Sequence, residues 1–215
     1  SGTVTGLAVG GLPDGTVDDG TVASGIASSK LTGALPAISG ASLTGFTDAQ
    51  MPTGSIVQVV SSAKTDVFSG AQSSNSQSGT DVTGLTPSIT PSSSSNKVLV
   101  LVNLNISCDV ASGTGDTDLG FSLYRGGTKI GSGNAVGNRQ GVSGIQHHTN
   151  LNGSQSISQV FLDSPSTTSA TTYSVKLFYG GGGTQTVYVN RTGGDGDSVS
   201  STRTCSSVTV MEVVG

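Results

Sequence analysis

Two adjacent histidines, His147 and His148, are the chain's whole stock of imidazole, and they set the first limit on its chemistry. Nucleophilic catalysis needs a Ser or Cys beside a His that a third group orients, and no GxSxG turn leads into a helix here. Three copies of the pair around an axis would offer imidazoles to a transition metal. Neighbours on a strand face opposite ways, however, which reads the pair as a polar loop or strand edge. The carboxylates are twelve Asp and a single Glu, Glu212, in the last strand-like stretch. Glycoside hydrolysis asks for two of them roughly 5–9.5 Å apart, one with a raised pKa, and no such pair is visible in the sequence. "GTGDTD" (113–118) and "GGDGDS" (193–198) present Asp116, Asp118, Asp195 and Asp197 as oxygen ligands. They lack the spacing and the closing Glu of an EF-hand, and Asp-Gly turns between strands account for both. No catalytic residue, metal or cofactor is expected.

Binding is the remaining task. Sugar recognition uses flat aromatic faces, and this chain has no Trp and four Tyr. Tyr173 and Tyr179 share parity with Val175 and Leu177, which marks them for the core. Tyr124 and Tyr188 fall on the parity opposite to their apolar neighbours and are placed for a partner or a neighbouring subunit. Loops on a rigid scaffold carry recognition. The expected surface is therefore 134–152, with Arg139, Gln140, His147, His148 and Asn150, joined by Tyr188 and Arg191. Residues 180–183 and 191–197 are second choices.

Composition narrows the class. Charged residues are 10% of the 215, far below the roughly 25% of ordinary soluble chains, so Ser, Thr, Asn and Gly must supply the polar surface. Nine Lys plus Arg against a net charge of −4 leave no basic patch for a run of phosphates, and nucleic acid is not an expected partner. No stretch approaches the roughly 20 apolar residues that span a bilayer, and no export signal is visible, so membrane insertion is not expected. Cys108 and Cys205 are either disulfide-bonded or reduced and buried.

The elements that must position these residues come in two parts. Residues 1–53 are near-repeats: "GTV" opens at Gly2, Gly15 and Gly20, and "LTG" recurs at Leu31 and Leu43. Each unit is too short to bury its own apolar residues and needs stacking or a core shared between chains. Residues 28–46 have helical spacing at Leu31, Leu35 and Ile38. Pro36 costs a helix about 3 kcal/mol, and Gly33 and Gly40 about 1 each. Extended, intertwined units are therefore expected in preference to a helix. From Gly54 the pattern is strand and turn: "SIVQVV", a polar loop over 69–79, "DVTGLTPSIT", the turn "PSSSSN", and then "KVLVLVNLNISCDV". In that last stretch Val98 to Val110 alternate with polar residues, which puts Cys108 inward. "LGFSLYR", "GGTKIGSG", "SISQVFL", "TTYSVKLFY", "TQTVYVNR" and "SSVTVMEVV" follow. The expected fold is all-β: a β-sandwich head, jelly-roll-like, over 54–215, with an extended trimeric β stalk over 1–53.

"SKLTGALPAISGASLTGF" resembles the stalk repeats of marine bacteriophage tail-fibre proteins. "DVTGLTPSITPSSSSNKVLVLVNLNIS", "LYRGGTKIGSG", "VFLDSPSTTSATTYSVKLFY", "VYVNR" and "SSVTVMEV" are similar, in order, to the C-terminal module of the same virion proteins. Gly79 and Thr80 stand before "DVTGL" where an aromatic is usual. The resemblance implies a homotrimeric, non-catalytic fibre in the virion. Its head would adsorb to a bacterial surface glycan or protein, and its N-terminal side would join other virion proteins. A structural decoration or head-fibre protein is the first alternative, and a surface-glycan depolymerase the second.

Overall fold

The computed structural model describes residues 47–73, 79–109, 117–148 and 153–215. The stalk expected over 1–53 lies outside them except for 47–53, as do Val110, Asp116 and Asn150. Residues 47–53 include a single 3-10 turn, Asp48–Gln50, which Gln50 caps by accepting the Thr47 amide at 2.7 Å.

Strand-forming alternation is realised twelve times among the described residues: β1 (Ile56–Lys64), β2 (Phe68–Gln72), β3 (Thr80–Asp81), β4 (Ser88–Ile89), β5 (Lys97–Cys108), β6 (Thr117–Arg125), β7 (Thr128–Ile130), β8 (Gly144–His148), β9 (Gln155–Asp163), β10 (Thr171–Tyr179), β11 (Gln185–Val189) and β12 (Ser206–Val213). One antiparallel sheet runs β1-β12-β5-β11-β2, with β9 on the other edge of β5. The second runs β3-β10-β6-β7, with β4 on β10 and β8 on β6. The chain crosses repeatedly between the sheets, for instance from β4 to β5, β5 to β6 and β8 to β9, and forms the expected all-β sandwich.

β5 is the centre of the first sheet because its length lets β12 pair with its first half and β11 with its end while β9 lines the other side. Val98, Val100, Val102, Leu104, Ile106 and Cys108 all point into the core, as their parity requires. At about 2 kcal/mol for each fully buried aliphatic side chain, five of them contribute on the order of 10 kcal/mol before chain entropy is counted. Phe121, Leu123, Tyr173, Val175, Leu177 and Tyr179 meet them from the second sheet.

Two elements differ from the sequence reading. The polar run 69–79 begins within β2, paired with β11, where Gln72 is an interior residue whose amide donates to Leu177 O at 2.9 Å across the sandwich. Residues 144–148, read as recognition loop, are β8, paired with β6. That pairing is allowed because Gly120 has no side chain, for a Cβ there would collide with Gly144 O. Gln146 Nε2 then donates to Ser156 O at 2.7 Å and ties β8 to β9 across the sheet edge.

Candidate functional site

The hairpin leaving β6 turns through Gly126 and Gly127, both at positive φ, into β7. The chain then loops over 131–143. Within it Val136 and Arg139 exchange backbone hydrogen bonds of 3.1 and 3.0 Å around a two-residue turn. Gly137 at φ 58° takes the first turn position, where only glycine is unstrained. At the loop's base Gly133 and Gly141 abut so closely that a Cβ on Gly141 would meet Gly133 O. The Lys129 ammonium donates to Gly141 O at 3.0 Å.

This folding leaves a cleft of about 310 Å³ lined by Lys129, Ser132, Asn134, Arg139, Gln140 and backbone. Two cations and several amide and hydroxyl groups face it, and no carboxylate is among its lining residues. In a chain of net charge −4, that is a local reversal of sign suited to an acidic group. Arg139 and Gln140 are thus together, and Lys129 is the member that sequence reasoning missed. Its signal was its place in the "GGTKIGSG" return strand, directly beneath the expected loop.

The other expected residues sit elsewhere. His147 Nδ1 lies 3.0 Å from Asp118 Oδ1, both half exposed, on paired positions of β8 and β6. His148 pairs with Thr117 in the same ladder. The second-choice loop 180–183 adjoins them, with Gly180 N donating to Asp118 O at 2.8 Å.

Tyr188 and Arg191 form a third location. The Arg191 guanidinium lies 4.0 Å from the Tyr188 ring centroid. It also donates to Thr192 O and Gly193 O at 2.9 and 2.7 Å. Tyr188 is outside the core cluster, as its parity predicts, but only 8% exposed, so the ring expected to face a partner or a neighbouring subunit is largely covered by its own chain. Tyr124 is covered in the same way, with Lys176 5.0 Å from its ring centroid. Each ring is capped by a cation from its own chain.

Asp195 bonds both Arg203 and Arg191, the latter at 3.3 Å. The Arg203 hydrogen bond, followed by the field of Arg191, holds its carboxyl below the usual range. A carboxylate already matched to two guanidiniums is poorly placed to hold Ca²⁺. Among the described residues no three of His, Cys, Asp and Glu gather as a metal set.

Asp48 and Glu212 form the acidic pair that the sequence did not reveal, near a cavity of about 560 Å³ that Asp48, Ser92, Asn96 and Val214 help to line. Asn96 Nδ2 donates to both, at 2.6 and 2.7 Å, and the Ser92 hydroxyl lies against both. Glu212 is 2% exposed and accepts the Ser92 amide at 2.7 Å. It does not line the cavity. Through Ser92 and Asn96, Asp48 and Glu212 join the 3-10 turn to the end of β12, which accounts for the pair as a structural clasp.

No family model matches the chain, and no curated protein matches it. Among solved structures it is similar to that of infectious bursal disease virus, Gt strain, at 16% identity and a TM-score of 0.35, over 84% of this chain and 43% of that one. It is also similar to the infectious bursal disease virus VP2 subviral particle at 12% identity and a TM-score of 0.31, over 74% of this chain and 38% of that one. The chain spans less than half the length of either.

Proposed function

We propose that this chain is a non-catalytic virion fibre protein of a phage, a homotrimer whose sandwich head adsorbs to a bacterial surface. In this reading its N-terminal side joins other virion proteins. The tail-fibre resemblance supports the class, and a two-sheet head that carries long connections such as 131–143 and 190–205 suits a rigid display surface. One observation carries the site: Lys129, Arg139 and Gln140 converge on a cleft with no carboxylate among its described lining residues, which favours the acidic group of a surface glycan, a uronate, sulfate or phosphate.

The test is binding of the full chain to host cells and to immobilised acidic and neutral polysaccharides, with Lys129→Gln and Arg139→Gln as variants. Binding to acidic polymers that falls about tenfold or more in the double variant supports the reading. Equal binding by the variant, or binding to neutral polymers alone, sinks it. No binding to cells at all would favour a structural decoration protein, and release of reducing ends would favour a depolymerase.

A further inference from the structure

The outward face of the first sheet is apolar over four strands. Cross-strand register aligns Val59, Met211, Leu99 and Leu162 in one row, and Ser61, Thr209, Leu101 and Val160 in the next. Ile56 and Val213 extend it toward one end. Ala63, Ser207, Asn103 and Ser158 close it toward the other. Val160 is 67% exposed, Val59 56%, Ile56 52% and Leu162 47%, so about half of this apolar surface or more is left in water by the chain's own fold.

From this face we infer that a second copy of the chain covers it, which makes it a contact between neighbouring copies of the homotrimer proposed above and rests on that reading. Four strands at about 4.8 Å and four rows at about 6.8 Å make a surface of roughly 19 by 27 Å, on the order of 500 Å² per copy. A pair would bury about 1,000 Å², the lower bound of a specific interface, with an apolar middle and a Ser/Thr/Asn margin. Electrostatics favours the same occupant. Two copies of a chain with net charge −4 repel each other over most of their surface, yet no Asp or Glu occupies an outward position in these four rows. Lys97, paired with Val213 at one end, is their single charge. Like-charged copies can meet here without opposing carboxylates. A polar glycan has no use for such a face, so it is separate from the Lys129 cleft in both place and partner.

The experiment uses the full chain with Cys205→Ser, which removes the exposed thiol, and places one cysteine at Val160. A second protein carries it at Val136, an exposed loop position at 59%, as the accessible reference. Thiol alkylation of V160C at least tenfold slower than V136C, together with inter-chain cross-linking of V160C by a short bis-maleimide, is the expected result. Alkylation at the reference rate, or protection without inter-chain cross-links, overturns the inference. Either failure leaves the glycan-binding test of K129Q/R139Q unaffected, so the two readings fall separately.

Discussion

Tyr173 on β10 donates its phenolic hydrogen bond to Asp163 Oδ2 on β9 at 2.7 Å, across the interior between the two sheets. The Arg125 guanidinium holds both oxygens of the same carboxylate at 2.8 and 2.9 Å. Tyr173 is fully buried and Asp163 nearly so. Burial first, then the Asp163 hydrogen bond and charge, push the phenol's pKa far above its ordinary value. The carboxylate is therefore the hub that lets a tyrosine and an arginine coexist with an apolar core.

Replacing that hub is expected to cost more than replacing either spoke. Asp163→Ala leaves a buried hydroxyl without its acceptor and a partly buried guanidinium without its carboxylate, Ser164 O alone remaining to it, a loss of about 2–4 kcal/mol. Tyr173→Phe removes one donor while keeping the ring, a loss of about 1–1.5 kcal/mol. Urea unfolding of the two variants checks the order, and a larger loss for Y173F would contradict the hub.

The two cysteines should behave oppositely. Cys108 is buried and Cys205 exposed, both as free thiols, so native alkylation labels one cysteine per chain and unfolding releases the second. Burial, then the Asp109 charge, raises the Cys108 pKa from 9.0 to about 11. Between those values the unfolded chain has given up a proton that the folded chain still holds. Stability must then fall as pH rises from about 9 to 11, at up to about 1.4 kcal/mol per pH unit. Cys108→Ala should flatten that part of the profile, and stability that rises with pH there would refute the assignment.

Cys108 also shows where the sequence was readable. Its inward position follows from the alternation of β5, and the core places of Tyr173 and Tyr179 from that of β10, because a period of two depends only on strand geometry. Cys205, expected to be disulfide-bonded or buried, is instead a free thiol that precedes β12 on the exposed side, since element ends carry no periodicity. Long-range partners were equally illegible. Nothing local announces that Arg191 will lie over Tyr188, that Lys129 will meet Arg139, or that Gln72 will be interior. Of the expected site, Arg139 and Gln140 come together, whereas His147 and the Tyr188–Arg191 pair lie elsewhere, because loop residues were grouped by sequence distance and β8 separates them in space.

Gly120 gives a direct test of how β8 is held. Any side chain there meets the backbone of Gly144 and Ile145, so Gly120→Ala must displace β8 from β6 or shift both strands. The expected outcome is faster amide exchange over 144–148 by about an order of magnitude or more, with β5 and β12 unchanged. Loss of the His147–Asp118 contact would be visible as changed imidazole chemical shifts by NMR. Unchanged protection of β8 would show that the strand is held by β9 through Gln146 and not by its fit against Gly120.

Asn190 separates backbone strain from hydrogen bonding. It sits at φ 66°, fully buried, just after β11. Its Nδ2 donates to Lys64 O and Asp66 O at 2.7 and 3.0 Å. Its Oδ1 accepts the Ser206 hydroxyl at 2.6 Å, so one amide joins the ends of β1, β11 and β12. Asn tolerates the left-handed region, Ala does not, and Gly does so without strain. Asn190→Gly should therefore lose only the hydrogen bonds, about 2 kcal/mol, and Asn190→Ala about 1 kcal/mol more. Denaturant midpoints in the order Asn, Gly, Ala are expected. Equal losses for Gly and Ala would mean that the polar bonds carry the whole effect and the backbone angle none of it.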